Sequence, residues 1–214
     1  MDMKQEIKFL IEWLNNNFDT NYIVKDFPNN IKEKDWTSIS TRQILSEEFI
    51  EKYKNKVDWE YISIYPNLSE EFIEKYKNKV DWESISIFQT LSESFIEKYE
   101  NKILWHWISQ YQKLSEEFIE KHKNSVIWFN ISKYQNLSKK FIEKYENYVN
   151  WVDISINQTL SEDFIEKHID NVDWYFISSH QKLSEEFIYK MKNYVKWNII
   201  KEDYNLSMPT NEKI

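Results

Sequence analysis

Hydrophobic and polar residues repeat along this chain with a period of 23 residues. A strict period between about 20 and 50 residues is the sequence signature of a solenoid or array. The period predicts seven complete units over residues 45–205, without insertion or deletion. Only Trp13 and Trp107 lie outside the tryptophan series. Leucine recurs at positions 45, 68, 91, 114, 137, 160, 183 and 206, and tryptophan at 36, 59, 82, 105, 128, 151, 174 and 197.

Each unit contains two signals that start a helix. In the first unit, Ser46 precedes two glutamates, and Asp58 precedes the recurring tryptophan. Serine and aspartate cap helices by accepting a hydrogen bond from a backbone N–H, and acidic residues in the first turn are favoured by the helix dipole. Each unit therefore predicts two helices, which in the first unit lie near 46–55 and 58–66.

One face of each predicted helix is apolar. On the first helix, Phe49, Ile50 and Tyr53 fall within about 100° of arc, and the glutamates point away from it. On the second helix of the next unit, four residues at i, i+3, i+4 and i+7 share a face: Trp82, Ile85, Ser86 and Gln89.

Stacking is the way such short hairpins bury these faces, because each unit then covers its neighbours and shares one core. The predicted fold class is all-α, an α-solenoid of seven 23-residue helix-turn-helix repeats in which the tryptophans mesh between adjacent hairpins. Gln89 is expected to bond a loop carbonyl of the following unit.

The two ends differ from the repeats. Residues 1–34 are predicted to form an N-terminal cap and a degenerate unit, and residues 1–18 an amphipathic capping helix whose apolar face includes Leu10 and Leu14. Residues 35–44 retain half a repeat, and residues 206–214 are expected to be a frayed tail. We predict a single solenoid domain over 1–214.

Composition excludes several classes of protein. The chain has no cysteine, so it forms no disulfide and has no thiolate chemistry. A net charge of −8 argues against a nucleic-acid binder, which needs basic residues on one face. No apolar run approaches the length of a membrane span, and the N-terminus lacks the features of a signal peptide. These features predict a cytoplasmic protein.

The residues that support catalysis or bind metal are sparse. A slot here means one of the 23 positions of the repeat. Of the four histidines, His122 and His168 occupy a slot that is tyrosine in other repeats, so they are expected to pack in the core. No zinc-binding spacing occurs, and the recurring glutamates fit a solvated helix face. Phosphate-binding loops need glycine, which is absent. We predict no enzyme activity, no catalytic residue, no cofactor and no metal.

Two slots of the second helix vary between units while the core slots stay constant. The first is the slot after each recurring tryptophan, and the second is the slot that follows it. Both are expected to face water, and exposed aromatic clusters commonly mark protein interfaces. Trp107 is predicted to be the centre of the interface. The candidate protein-binding residues are Tyr61, His106, Trp107, Phe129, Val152, Tyr175, Phe176 and Ile199.

The same apolar residues also fit a neutral origin or a buried position. Drift under a codon bias towards Tyr, Phe and Ile would fill variable positions with these side chains. Alternatively, neighbouring helices bury them.

The unit, LSEEFIEKY followed by VDWxxIS and a glutamine, resembles short helical repeats in predicted proteins of large DNA viruses and bacteriophages. The resemblance covers about residues 35–207. It implies a viral or phage origin, and hence the cytoplasm of a host cell, without an established activity. Several small phage proteins block host defence by binding it, which suggests one kind of partner.

These observations predict a non-enzymatic protein-binding scaffold, one form of which inhibits a host defence complex, such as an immune or nuclease complex, by occupying it. One alternative is a structural or self-assembling repeat protein, and another is an acidic mimic of nucleic acid. The predicted partner is a protein, with no membrane or nucleic acid, and the chain is expected to be a monomer or to self-associate weakly.

Overall fold

The computed structural model describes residues 2–42, 45–65, 68–204 and 206, and within these residues it contains sixteen α-helices, one 3₁₀ helix and no strand. The chain divides into two compact units, Met1–Leu104 and Trp105–Ile214. The division falls between the two helices of the third repeat.

The first unit begins with a long helix, continues through the half repeat and then alternates two short helices per repeat. Its elements are α1 (Met3–Asn17), a 3₁₀ helix (Val24–Asp26), α2 (Glu33–Ser40), α3 (Glu47–Lys52), α4 (Trp59–Ile64), α5 (Glu70–Lys75), α6 (Trp82–Phe88) and α7 (Glu93–Lys98).

The second unit continues the alternation with helices of six to eight residues. Its elements are α8 (Trp105–Tyr111), α9 (Glu116–Lys121), α10 (Trp128–Tyr134), α11 (Lys139–Lys144), α12 (Trp151–Asn157), α13 (Glu162–Lys167), α14 (Trp174–His180), α15 (Glu185–Lys190) and α16 (Trp197–Tyr204). In each repeat the helix after the recurring serine is called the first helix, and the helix that begins at the recurring tryptophan the second helix.

The predicted N-caps are confirmed, but the first helix is shorter than predicted. The Ser46 side chain accepts a hydrogen bond from the Phe49 N–H, and Asp58 accepts one from the Glu60 N–H. The first helix ends at Lys52 instead of near residue 55. Beyond it the chain reverses in a turn, because the backbone N–H groups of Lys56 and Val57 both donate to the Tyr53 carbonyl.

The recurring tryptophans mesh between consecutive hairpins, as predicted. In the first unit, the Trp59 ring lies 6.2 Å from the Phe72 ring and 4.8 Å from the Tyr76 ring of the following repeat. In the second unit, Trp128 contacts Phe141 and Tyr145 in the same way, at 6.2 and 5.1 Å. One isoleucine of each repeat helix is fully buried, such as Ile73 on α5 and Ile131 on α10, so each hairpin shares its core with the next.

The second helices pack side by side, α4 between α2 and α6 in the first unit, and α8, α10, α12, α14 and α16 in sequence in the second. Consecutive hairpins in this arrangement form an α-solenoid within each unit.

Buried glutamines at the ends of second helices, such as Gln89 and Gln158, bond to the preceding repeat, opposite to the predicted direction. The Gln158 amide donates to the carbonyls of Ser132 and Gln135, at 3.0 and 2.8 Å, and its oxygen accepts from the Leu137 N–H. The last carbonyls of a helix have no partner within that helix, so the side chain supplies the missing donors. The Gln89 amide donates to the carbonyls of Ser63 and Tyr65 of the preceding repeat in the same way. The expectation that it bonds a carbonyl of the following repeat is wrong.

Ion pairs and capping carboxylates join successive first helices. The Glu47 carboxylate accepts hydrogen bonds from both the backbone N–H and the hydroxyl of Ser69, the N-cap of the next first helix. The same helices place Lys75 against Glu51 in an exposed ion pair. Such exposed pairs contribute little energy in water, so they fix register more than stability.

Helix α1 caps the first unit, as predicted. Its Leu10, Ile11 and Leu14 side chains are buried. The buried Glu6 carboxylate accepts hydrogen bonds from the N–H and hydroxyl of Ser46, at 2.8 and 2.7 Å. Glu6 thus occupies the position that a first-helix glutamate holds in the repeats.

Several statements about the ends stay predictions. The proposed frayed tail lies outside the described residues except for Leu206, and the end of the 35–44 half repeat lies outside them too. The assignment of all repeats to one domain also stays a prediction. Among the helices that the structure describes, none has both the length and the apolar character needed to cross a bilayer.

Candidate protein-binding surface

The variable slot directly after the recurring tryptophan faces water in every repeat. All seven of its residues are exposed, from Glu60 to Asn198. His106 is exposed, and Phe129, Val152 and Tyr175 expose 50%, 43% and 52% of their surface. The expectation for this slot is confirmed.

The next slot lies instead along the seam between adjacent second helices. Ser84, Asn130 and Asp153 are buried there, so the expectation that the slot faces water is wrong for them. The Asn130 amide donates to the His106 carbonyl of the preceding second helix at 2.9 Å, which shows that the slot faces a neighbouring helix. Of the candidate residues in this slot, Tyr61 is exposed, and three are half-buried: Trp107, Phe176 and Ile199.

Aromatic side chains in the second unit pair along their own helices. On α8 the Trp107 ring stacks on Tyr111 at 5.8 Å. On α14 the Phe176 ring lies 5.2 Å from Tyr175 and 5.7 Å from His180. These contacts hold the half-buried rings of the seam against more exposed ones, so both slots belong to one surface.

Exposed aromatic residues in the last turn of the second helices were not predicted from the sequence. Tyr111 and Tyr134 expose 51% and 45% of their surface, and Phe88 in the first unit is similarly exposed. Tyr111 lies four residues after Trp107, one helical turn along the same side. That spacing, together with the variation of this slot between repeats, was the signal that could have identified them.

The apolar surface of the second unit is here named the aromatic strip. It lies on four second helices that contact one another in sequence, α8, α10, α12 and α14. It comprises Trp107, Tyr111, Phe129, Tyr134, Val152, Tyr175 and Phe176.

The aromatic strip is poor in negative charge, although the chain as a whole is acidic. The four helices contain a single carboxylate, Asp153, which is buried. Burial raises the pKa of Asp153 above its usual range, and the nearby Lys133 partly opposes that shift. The exposed residues of the same helices include His106 and His180 and no carboxylate.

The first helices of the same repeats present the opposite chemistry. Every exposed residue of α9, α11 and α13 is charged, for example Glu117, Lys140 and Asp163. The two helices of each hairpin therefore present different surfaces, one charged and one aromatic.

Two histidines pack as core residues, as predicted. His168 is buried, with its ring 5.1 Å from Trp151 and 4.5 Å from Phe164. His122 makes equivalent ring contacts with Trp105 and Phe118. Within the described ranges, no group of three His, Cys, Asp or Glu side chains is placed to hold a metal ion. The absence of enzyme activity, cofactor and metal stays a prediction.

The fold and the surface together define a class of protein, an α-solenoid of short helical hairpins with an aromatic surface on its second helices. The chain matches no protein family model, no curated protein and no solved structure.

Proposed function

We propose that this protein is a non-enzymatic scaffold that binds a protein partner through the aromatic strip. The observation that carries the proposal is the exposure of Phe129, Tyr134 and Tyr175, each 45% or more, on second helices of the same unit. Contiguous exposed apolar patches in soluble proteins commonly mark interaction sites, and Trp and Tyr are favoured anchors in such sites.

The contrast between the two helices of each hairpin argues against compositional drift. A codon bias towards Tyr, Phe and Ile would act on the first helices as much as on the second. The exposed positions of α9, α11 and α13 nevertheless remain charged. On α15 the exposed Tyr189 is an exception. Among the exposed helical positions of the second unit, aromatic residues are thus concentrated on the second helices, as selection for binding requires. Tyr148 and Tyr194, in the turns after α11 and α15, are exposed as well.

An acidic mimic of nucleic acid is less well supported, because many first-helix carboxylates are engaged within the protein. Glu120 and Glu143 pair with Lys144 and Lys167 of the next first helix. Glu162 accepts a hydrogen bond from the Ser184 N–H at 2.6 Å. A phosphate mimic needs carboxylates that are free to meet a basic protein.

The resemblance of the repeat to those of large DNA viruses and phages supports a narrower form of the proposal. In that form the protein is viral or phage-encoded, works in the cytoplasm of a host cell and inhibits a host defence complex by occupying it. Self-assembly is the competing function, since an aromatic surface also suits a second copy of the chain.

Site-specific photo-crosslinking tests the proposal in the cells that produce the protein. In the test variants a photoreactive residue replaces Phe129 or Tyr175 on the second helices. In the matched controls it replaces Glu117 or Asp163 on the first helices of the same repeats. All four positions are exposed. We expect one cross-linked protein from positions 129 and 175 and none from the controls. Combining the probe at 129 with Tyr134→Ala and Tyr175→Ala should abolish the product.

Equal cross-linking from both surfaces, or none from positions 129 and 175, would refute the proposal. A product made only of two copies of this chain would establish self-assembly instead.

A further inference from the structure

The charges around the aromatic strip point to the chemistry of the partner, an inference that rests on the proposed function. We infer that the strip binds an acidic peptide segment, whose bulky apolar side chains pack on the rings and whose carboxylates meet Lys133, His180 and Lys182. The segment is identified by its chemistry, alternating apolar and acidic residues.

Lys133 is the basic group at the centre of the strip. Its ammonium lies 5.8 Å from the Phe129 ring and 5.2 Å from the Tyr134 ring, over two of the most exposed aromatic side chains. It forms no ion pair with the part of the chain that the structure describes, whereas first-helix lysines such as Lys144 and Lys190 do. A carboxylate that arrives beside these rings would therefore meet a cation that is not already paired.

A second basic feature lies where α12 and α14 end. A cavity of about 390 Å³ is lined there by Ile156, Thr159, Leu160, His180 and Lys182, together with the bridging glutamines. None of its lining residues is acidic. In contrast, the grooves between the first helices are lined by several glutamates each. The cavity combines an apolar wall with basic and hydroxyl groups, which suits an aspartate or glutamate side chain.

The lack of exposed carboxylates on α8, α10, α12 and α14 makes the surface complementary to an acidic segment. Complementary charge steers association and rejects wrong partners, because like charges at an interface cost several kcal/mol. In a chain with 36 acidic residues, an acid-free surface of four helices would favour acidic ligands. The aromatic rings supply affinity and the basic groups supply specificity.

Single-stranded nucleic acid is the other anionic ligand that stacks on aromatic side chains. Its binding depends on several phosphate contacts from Lys or Arg along a groove. The four helices of the strip contain one lysine, Lys133, and the exposed Lys113 and Lys182 follow the ends of α8 and α14. The net charge of the chain is −8. A peptide needs fewer cations, so it fits the surface better.

Binding to matched peptide arrays tests the inference with the full-length protein. The array holds short random peptides rich in Phe, Leu and Tyr, in three sets that differ only in having Glu, Gln or Lys at the remaining positions. We expect the best Glu peptides to bind at least about tenfold more tightly than their Gln counterparts, and the Lys set not to bind.

Charge reversal provides the second measurement. Lys133→Glu and Lys182→Glu together should weaken binding of the Glu peptides at least about tenfold and create binding of the Lys set. Lys140→Glu, an exposed change of the same charge on a first helix, serves as the matched control and should leave both unchanged.

Each result bears on the inference in a distinct way. Equal binding of Glu and Gln peptides, or tighter binding of a single-stranded oligonucleotide than of any peptide, would overturn it. If positions 129 and 175 still cross-link a protein in that case, the proposed function stands and only the acidic segment is wrong. If neither cross-linking nor peptide binding occurs, both fail.

Discussion

The hydroxyl of Ser132 accepts a hydrogen bond from the backbone N–H of Asn150, the N-cap of the next second helix, at 2.9 Å. The same hydroxyl donates to the Trp128 carbonyl of its own helix. A serine hydroxyl in the last turn of one second helix therefore accepts the hydrogen bond of the N-cap N–H of the next second helix. The bond recurs at Ser40, Ser63, Ser86, Ser109, Ser155 and Ser178.

Ser132→Ala is expected to destabilise the protein more than the loss of a single oxygen atom suggests. The change leaves the part-buried N–H of Asn150 without a partner, which costs about 1–3 kcal/mol. Urea denaturation should show the loss of unfolding free energy. The matched control is Ser179→Ala, because the Ser179 hydroxyl bonds only within its own helix. Equal effects of the two substitutions would show that the bond between repeats contributes nothing.

Tyr204→Phe should loosen the last repeat. The Tyr204 hydroxyl accepts from the Leu183 N–H and donates to the Gln181 carbonyl, both at 3.0 Å, and so replaces the glutamine of earlier repeats. Removing it leaves two backbone groups unpaired, at a cost of about 1–3 kcal/mol each where they are buried. Amide hydrogen exchange should then quicken at Leu183, whereas Tyr204→Gln should keep it slow. Unchanged exchange in the Phe variant would contradict this role.

Lys139→Glu is expected to stabilise the protein by about 0.5–1.5 kcal/mol. Lys139 occupies a slot where glutamate caps the next first helix, as Glu162 does for the Ser184 N–H at 2.6 Å. Lys139 instead places its ammonium 2.6 Å from the Ser161 hydroxyl, so this slot offers the Ser161 N–H no carboxylate. Thermal melting should rise for this variant and not for Lys140→Glu. A similar change in both variants would attribute the effect to net charge alone.

Asp153→Asn should stabilise the protein at neutral pH. Because burial raises the folded-state pKa of Asp153, ionisation costs the folded state more than the unfolded state. This cost is absent well below the usual Asp pKa of about 4 and appears as the pH rises through the folded-state pKa. Asparagine avoids it, and Asn130 shows that the slot accommodates an amide that donates to the preceding helix.

Urea denaturation at several pH values measures this effect. The advantage of the variant should grow from acidic to neutral pH, while Asp170→Asn at an exposed site should show no such trend. An advantage that is the same at all pH values would mean that the Asp153 carboxyl ionises as easily in the folded protein as in the unfolded chain.

Much of the fold could be predicted because the same helix caps and apolar faces recur in successive repeats. The caps at Ser46 and Asp58, the apolar faces and the tryptophans between hairpins all follow from side-chain chemistry and helical spacing. The packing of His168 followed from its slot alone, since its equivalents are mostly tyrosine. Prediction failed for the end of the first helix, where the turn depends on hydrogen bonds that return to Tyr53.

The candidate surface was predicted only in part. The slot of Phe129 and Tyr175 was correctly predicted to face water, and all seven of its residues are exposed. The slot of Trp107 and Phe176 was predicted to face water, although it lies along the seam between adjacent second helices. The exposed Tyr134 was not predicted. On a helix of seven residues, spacing gives the direction of each side chain but not the position of the neighbouring helix.

By itself, therefore, the sequence determined the period, the two helices of each repeat and the residues of the shared core, because these depend on local chemistry that recurs every 23 residues. Only the tertiary structure decided that Gln158 bonds to the preceding repeat, and that Asn130 and Asp153 are buried. It also decided that the exposed apolar side chains of α8, α10, α12 and α14 belong to one surface. These features depend on how closely adjacent helices approach, which is set by packing between repeats and not by the pattern within one.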